Sequence, residues 1–76
     1  MLYQTIVLEL LESHPGLYTR LRTGRALPAA LTRYASHLRA AYMRLKSEET
    51  GEDAARELAV AEIESRIAEE AERLEA

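Results

Sequence analysis

The chain has 76 residues, a formal net charge of −3 and no cysteine, and its few aromatic residues are all tyrosine. A chain this short accommodates one small domain, residues 1–76, with a modest core. The absence of cysteine excludes disulfides and thiolate chemistry. The most apolar stretch, residues 1–11, is too short for a membrane span, which needs about 20 apolar residues. Glu9 and the lack of an early basic residue argue against a signal peptide, so we expect a cytoplasmic protein without membrane contacts.

Charge is divided unevenly along the chain. Residues 1–46 carry seven basic and two acidic residues, a net charge of +5. Residues 47–76 carry three arginines and eleven acidic residues, a net charge of −8. We therefore distinguish a basic helical front half, 1–46, from an acidic C-terminal helix, 51–75, and expect each half to contact the other or a charged partner.

The first predicted helix runs from about Leu2 to Ser13, where apolar residues recur at helical spacing. Residues 5–7 also have strand propensity, but the Leu-Glu-Leu-Leu-Glu sequence that follows favours a helix. The helix ends at His14-Pro15-Gly16, because the residue before a proline disfavours the α conformation. Its apolar stripe is broad, and a single chain would leave part of it exposed, which is typical of an interface.

A short second helix is predicted from Leu17 to Thr23. Gly24 is expected to be the left-handed residue that follows its end. The alternative start for this helix is Pro15, since a proline is tolerated in the first turn, where its missing N–H group leaves no hydrogen bond unmade.

The third predicted helix, from Pro28 to about Ser47, has the clearest pattern. Its apolar residues follow alternating spacings of four and three: Leu27, Leu31, Tyr34, Leu38, Ala41 and Leu45. Such spacing places them on one face of a helix, and the proline near its start is well tolerated there.

The fourth predicted helix runs from about Gly51 to Leu74, with Thr50 and Asp53 resembling a capping box at its start. Three acid–arginine pairs four residues apart, beginning with Glu52 and Arg56, stabilise it along its exposed side. Its apolar stripe is narrow, as in a helix that packs on one neighbour or in a short coiled-coil seam. We take four residues of this stripe as candidate helix-interface residues: Val60, Ile63, Ile67 and Leu74.

No residue pattern predicts an enzyme. The chain has two histidines, one aspartate and no cysteine, and neither histidine lies in a spacing that binds zinc or a di-iron centre. Ser13 and His14 are adjacent but lack an orienting third group. We therefore predict no catalytic residues, no metal site, no cofactor and no small-molecule substrate.

Basic residues in the front half make nucleic acid a possible partner. Arg20, Arg22 and Arg25 cluster around one predicted turn, and a second set forms a row along the third helix: Arg33, His37 and Arg44. Such a row could neutralise successive phosphates. The resemblance of helices two and three to a helix-turn-helix fails in detail, since arginines at 20, 25 and 33 occupy positions where that motif needs small or apolar residues.

The same arginines could instead meet the acids of the chain itself. Folding the fourth helix back on the third would bring its acidic last turn near Arg25 and Arg33, and a symmetric dimer could match the same surfaces. We therefore expect an all-α fold of three to four helices, whose two long C-terminal helices form an antiparallel hairpin or a dimeric bundle. The predicted function is a small non-enzymatic protein-interaction module, a homodimer with an accessory or regulatory role. The alternative is a nucleic-acid-binding accessory protein that uses the arginines.

Overall fold

The computed structural model describes residues 2–48 and 51–75. These residues form four α-helices: α1 (Tyr3–Glu12), α2 (Pro15–Thr23), α3 (Leu27–Ser47) and α4 (Glu52–Glu75). The predicted all-α class is confirmed, since no strand occurs in these two ranges and residues 5–7 lie inside α1. None of the four helices has both the length and the apolar character that crossing a bilayer requires.

The junction between α1 and α2 is a tight break at Ser13 and His14. The Ser13 hydroxyl donates a 2.6 Å hydrogen bond to the carbonyl of Leu10, and the His14 N–H donates one of 2.9 Å to the carbonyl of Leu11. α2 begins at Pro15, the alternative start, because proline has the φ of a helix and no N–H group to leave unpaired. The predicted start at Leu17 is therefore two residues late.

The turn between α2 and α3 corrects the prediction for Gly24. Gly24 has a φ of −82°, and the left-handed residue is Arg25, with a φ of 59°. The N–H of Ala26 donates to the carbonyl of Leu21 at 2.8 Å, and the N–H of Arg25 donates to the carbonyl of Arg22 at 3.1 Å. This pair of hydrogen bonds is the Schellman arrangement, set one residue later than the glycine.

α4 begins at Glu52, one residue after the predicted start, and its first turn carries Glu52 and Asp53. Acidic side chains there are stabilised by the positive end of the helix dipole. The N–H of Ala55 donates a 2.8 Å hydrogen bond to the carbonyl of Gly51. The proposed cap at Thr50 lies outside the described residues.

A single hydrophobic cluster draws side chains from all four helices. Its largest fully buried members are Val7, Leu11, Leu38, Ile63 and Ile67. α4 packs mainly against α3, and every fourth residue of α4 is buried over five positions: Ala55, Ala59, Ile63, Ile67 and Ala71. The alanines in this stripe leave room for the helix backbones to approach each other.

The buried stripe of α4 differs from the predicted one at both ends. Val60 is only half-buried and Leu74 is 37% exposed, whereas Ala55 and Ala59 are fully buried. A four-residue spacing drifts around the helix, because the helix repeats every 3.6 residues. The predicted stripe begins with the large side chain of Val60, whereas the buried face of the first turns of α4 consists of the alanines Ala55 and Ala59.

Candidate functional site

A groove runs between α1 and α4 on the surface of the bundle. It consists of two adjoining depressions, of about 510 and 810 Å³, that share Ile6, Glu9, Asp53 and Arg56. Along α1 its lining extends from Leu2 to Ser13. At a rise of 1.5 Å per residue the groove is about 17 Å long, so it is an elongated surface and not a closed pocket.

The floor of the groove is apolar. Ile6 and Leu10 come from α1 and lie one helical turn apart, while Val60 and Ala61 come from α4. Ile6, Leu10 and Val60 are half-buried and pack against the edge of the core. They are left partly exposed because α1 directs a different face, with Val7 and Leu11, into the centre of the bundle.

Carboxyl groups dominate the rim of the groove. Among the described residues, the lining contains one basic residue, Arg56, and five acidic residues: Glu9, Glu52, Asp53, Glu57 and Glu64. Because only one guanidinium offsets five carboxylates, the groove has a negative potential at neutral pH.

Hydrogen bonds hold the carboxyl groups at the two ends of the groove. At one end, His14 Nε2 lies 2.8 Å from Glu64 Oε1 and links the α1–α2 junction to α4. At the other end, the buried Tyr42 donates a 3.1 Å hydrogen bond from its hydroxyl to Glu52 Oε1. Burial, and then the adjacent Glu52 carboxylate, raise the pKa of Tyr42 above its ordinary value. Tyr42 therefore stays protonated as the hydrogen-bond donor across the neutral range.

The predicted row of basic residues on α3 faces α4. Arg33 Nη2 lies 3.2 Å from Glu70 Oε2, and Arg44 Nη2 lies 3.1 Å from Glu62 Oε2. His37 lies between these two ion pairs, in shallow depressions that Arg66 also lines. The charges of Arg33 and Arg44 are thus partly neutralised by acids of the same chain.

The three arginines of the predicted turn are all exposed. Arg20 Nη1 donates a 3.3 Å hydrogen bond to the carbonyl of Leu74. Leu74 lies near the C-terminus of α4, where the negative end of the helix dipole stabilises a cation. The Arg22 guanidinium lies 5.7 Å from the centre of the Tyr18 ring. Arg25 is the left-handed residue of the turn, so the three arginines share a region but differ in their contacts.

The candidate interface residues of α4 fall into three environments. Val60 lines the groove, whereas Ile63 and Ile67 are fully buried within the chain. Leu74 is at the exposed end of α4, beside Arg20.

Sequence reasoning indicated that part of the apolar stripe of α1 would remain exposed. It missed the groove itself, because Glu9, Asp53 and Glu57 resemble ordinary solvated residues. Only the placement of α4 beside α1 brings Glu9 to the same rim as Asp53 and Glu57.

Neither a metal-binding cluster among the described residues nor a similar known protein identifies a further residue of this site. Within residues 2–48 and 51–75, no group of three or more histidine or acidic side chains is arranged to hold a metal ion. No protein-family model, curated protein or solved structure matches the chain.

Proposed function

We propose that this chain is a small, non-enzymatic protein-interaction module with an accessory or regulatory role, acting through its helix surfaces. The observation that carries the proposal is the groove between α1 and α4, where half-buried apolar side chains line an open surface about 17 Å long. Grooves of this kind accept an amphipathic segment of another protein, and contiguous exposed apolar surface commonly marks an interaction site.

We infer that α3 and α4 form an antiparallel hairpin that serves as the scaffold for this surface. The ion pairs support this arrangement, because Arg33 near the start of α3 meets Glu70 near the end of α4. Arg44, near the end of α3, meets Glu62 in the middle of α4. A hairpin held in this register would keep the α4 side of the groove in a fixed position.

Self-association remains a prediction within this proposal. The apolar floor supports it, whereas two copies paired groove to groove would bring five carboxyl groups of each rim together. Sedimentation at low and high micromolar concentration measures it directly. A single 8.6 kDa species at both concentrations would contradict the homodimer.

Affinity capture with two matched variants tests the interaction module itself. Ala61→Arg places a long charged side chain in the groove, and Ser65→Arg adds the same side chain at an exposed position of α4 outside the groove. We expect a protein that is retained by the wild type and by Ser65→Arg to be lost with Ala61→Arg. Equal retention by both variants would contradict the groove as the binding surface.

Nucleic acid is the alternative partner, and the exposed Arg20, Arg22 and Arg25 at one turn support it. The ion pairs of Arg33 and Arg44 with glutamates weigh against it, since these charges are no longer available in full to phosphates. Binding of duplex DNA at two salt concentrations, with the Arg20→Ala/Arg22→Ala/Arg25→Ala variant as comparison, tests it. Affinity that falls with salt and is lost in the variant would favour this alternative, and no binding at low salt would exclude it.

A further inference from the structure

We propose that the groove between α1 and α4 binds a basic amphipathic α-helix of a partner protein. The inference rests on the proposed function and names the chemistry of the partner. Three properties of the groove support it: its apolar floor, its length, and a set of carboxyl groups that form no ion pair with the described residues.

The floor and the length of the groove fit a helix. Ile6 and Leu10 from α1 and Val60 and Ala61 from α4 form the apolar floor between the two helices. A length of about 17 Å corresponds to about three helical turns. A partner helix of this length would present apolar residues at positions i, i+3 or i+4, and i+7, which is the pattern of a helix seated in a hydrophobic groove.

The unpaired acids fit basic flanks on that helix. Within the described ranges, Glu9, Asp53 and Glu57 take part in no ion pair, although all three line the groove and are exposed. Glu52 and Glu64 are held at the two ends by Tyr42 and His14. A helix with lysine or arginine on both sides of its apolar stripe would complement this rim.

The same charges argue against a second copy as the occupant. In a twofold arrangement each groove would face the carboxyl groups of the other, and like charges across an interface oppose binding. Three of the exposed arginines, Arg20, Arg22 and Arg25, cluster at the α2–α3 turn, where no long apolar stripe accompanies them, since Leu17 and Leu21 pack against the core. The α2–α3 turn of a second copy therefore lacks the apolar stripe that the groove requires, and the groove of a second copy carries an excess of the same negative charge.

Nuclear magnetic resonance titration with three designed peptides tests the proposal. The first is a basic amphipathic helix with leucines at helical spacing and flanking lysines. The second is its scrambled isomer, which keeps the charge but loses the apolar stripe. The third replaces each lysine by glutamate. We expect the first peptide to shift amide resonances of residues 2–13 and 52–64, and the other two to bind at least tenfold more weakly.

Two double variants identify the carboxyl groups that contribute. Glu9→Gln/Glu57→Gln removes two charges from the rim, and we expect it to weaken the first peptide by about tenfold. Glu12→Gln/Glu72→Gln removes two charges from exposed positions on the same helices outside the groove, and we expect it to bind as the wild type does. All four positions are exposed, so circular dichroism should report the same helical fold in both variants.

The possible outcomes separate this inference from the proposed function. Absence of binding by the first peptide, equal binding by the glutamate peptide, equal loss in both double variants or resonance shifts confined to the α3–α4 surface would each overturn the basic-helix proposal. If groove resonances shift only when the chain associates with itself, the basic-helix proposal is also overturned, but the proposed interaction module is not. If affinity capture in addition shows no dependence on Ala61, the proposed function fails as well.

Discussion

Arg33 and Glu70 join α3 to α4 in a network that includes the hydroxyl group of Tyr34. Arg33 Nη2 lies 3.2 Å from Glu70 Oε2, and the buried Tyr34 donates its hydroxyl hydrogen bond to the same carboxylate oxygen. The Arg33 guanidinium also lies 4.9 Å from the centre of the Tyr34 ring. The Arg33 side chain is 54% exposed, so water can solvate it when the carboxylate is removed. The buried Tyr34 is less accessible to water, so the loss of its acceptor costs more free energy.

Glu70→Ala should therefore destabilise the protein more than Arg33→Ala does. Removing an exposed ion pair costs about 0–1 kcal/mol, whereas leaving the Tyr34 hydroxyl without an acceptor costs about 1–3 kcal/mol. Urea unfolding followed by circular dichroism measures both changes in the free energy of unfolding. Adding Tyr34→Phe to Glu70→Ala should cost less than Tyr34→Phe alone, because the hydroxyl has already lost its partner. An Arg33→Ala effect that equals or exceeds that of Glu70→Ala would contradict this ordering.

Arg25→Gly should stabilise the α2–α3 turn. A residue with a side chain is strained at a φ of 59°, and the left-handed position after a helix favours glycine. Part of the gain is offset by the larger entropy of glycine in the unfolded chain, so we expect a net increase of about 0.5–1 kcal/mol in the free energy of unfolding. Arg25→Ala is the matched control, since it removes the charge and keeps a Cβ atom. If both variants are equally stabilised, the gain comes from the charge and not from the backbone.

Local chemistry explains why the helices could be predicted and the exact ends could not. The apolar spacing of α3 and the break at His14-Pro15-Gly16 depend on residues close in sequence, and the predicted helices recover all four elements. The left-handed position at Arg25 was not predicted, because glycine is the usual left-handed residue after a helix, whereas here Gly24 keeps a φ of −82° and the next residue turns the chain.

The candidate site depends on contacts that are distant in sequence. The rim combines Glu9 with Asp53 and Glu57, and the hydrogen bond between His14 and Glu64 joins residues 50 positions apart. No pattern within a short stretch of sequence predicts these long-range contacts, because each acidic residue taken alone is typical of a solvated helix surface. The sequence signals for the groove were the broad apolar stripe of α1 and the candidate interface residue Val60 of α4, and neither of them located the acidic rim.

Ile63→Val should destabilise the single chain, independently of any partner. Ile63 is fully buried, and removing one buried methyl group in this way costs about 0.5–1.5 kcal/mol. Leu74→Ala, at an exposed position of the same predicted stripe, should change the free energy of unfolding by less than about 0.5 kcal/mol. Urea unfolding at two protein concentrations distinguishes a core residue from an intermolecular seam. If the Ile63→Val effect grows with protein concentration, Ile63 contributes to an interface between copies.

The contribution of Tyr42 to the free energy of unfolding should be smaller at alkaline pH than at neutral pH. Burial and the Glu52 carboxylate raise the pKa of Tyr42 above its ordinary value of 10.0. Above about pH 10 the unfolded chain loses this proton while the folded chain keeps it, so unfolding releases a proton and the free energy of unfolding falls as pH rises. The loss begins near the ordinary pKa and ends once the pH exceeds the raised one.

Tyr42→Phe removes this titration, so the stability advantage of the wild type over the variant should be largest near neutral pH and shrink above about pH 10. Thermal and urea unfolding of the two proteins across this range measure the difference. Tyr18→Phe is the matched control: it removes a phenol from a half-buried position outside the Tyr42–Glu52 pair and should retain the alkaline loss attributable to Tyr42. An advantage of the wild type over Tyr42→Phe that stays constant or increases above pH 10 would mean that the Tyr42 hydroxyl does not hold its proton against Glu52 in the folded chain.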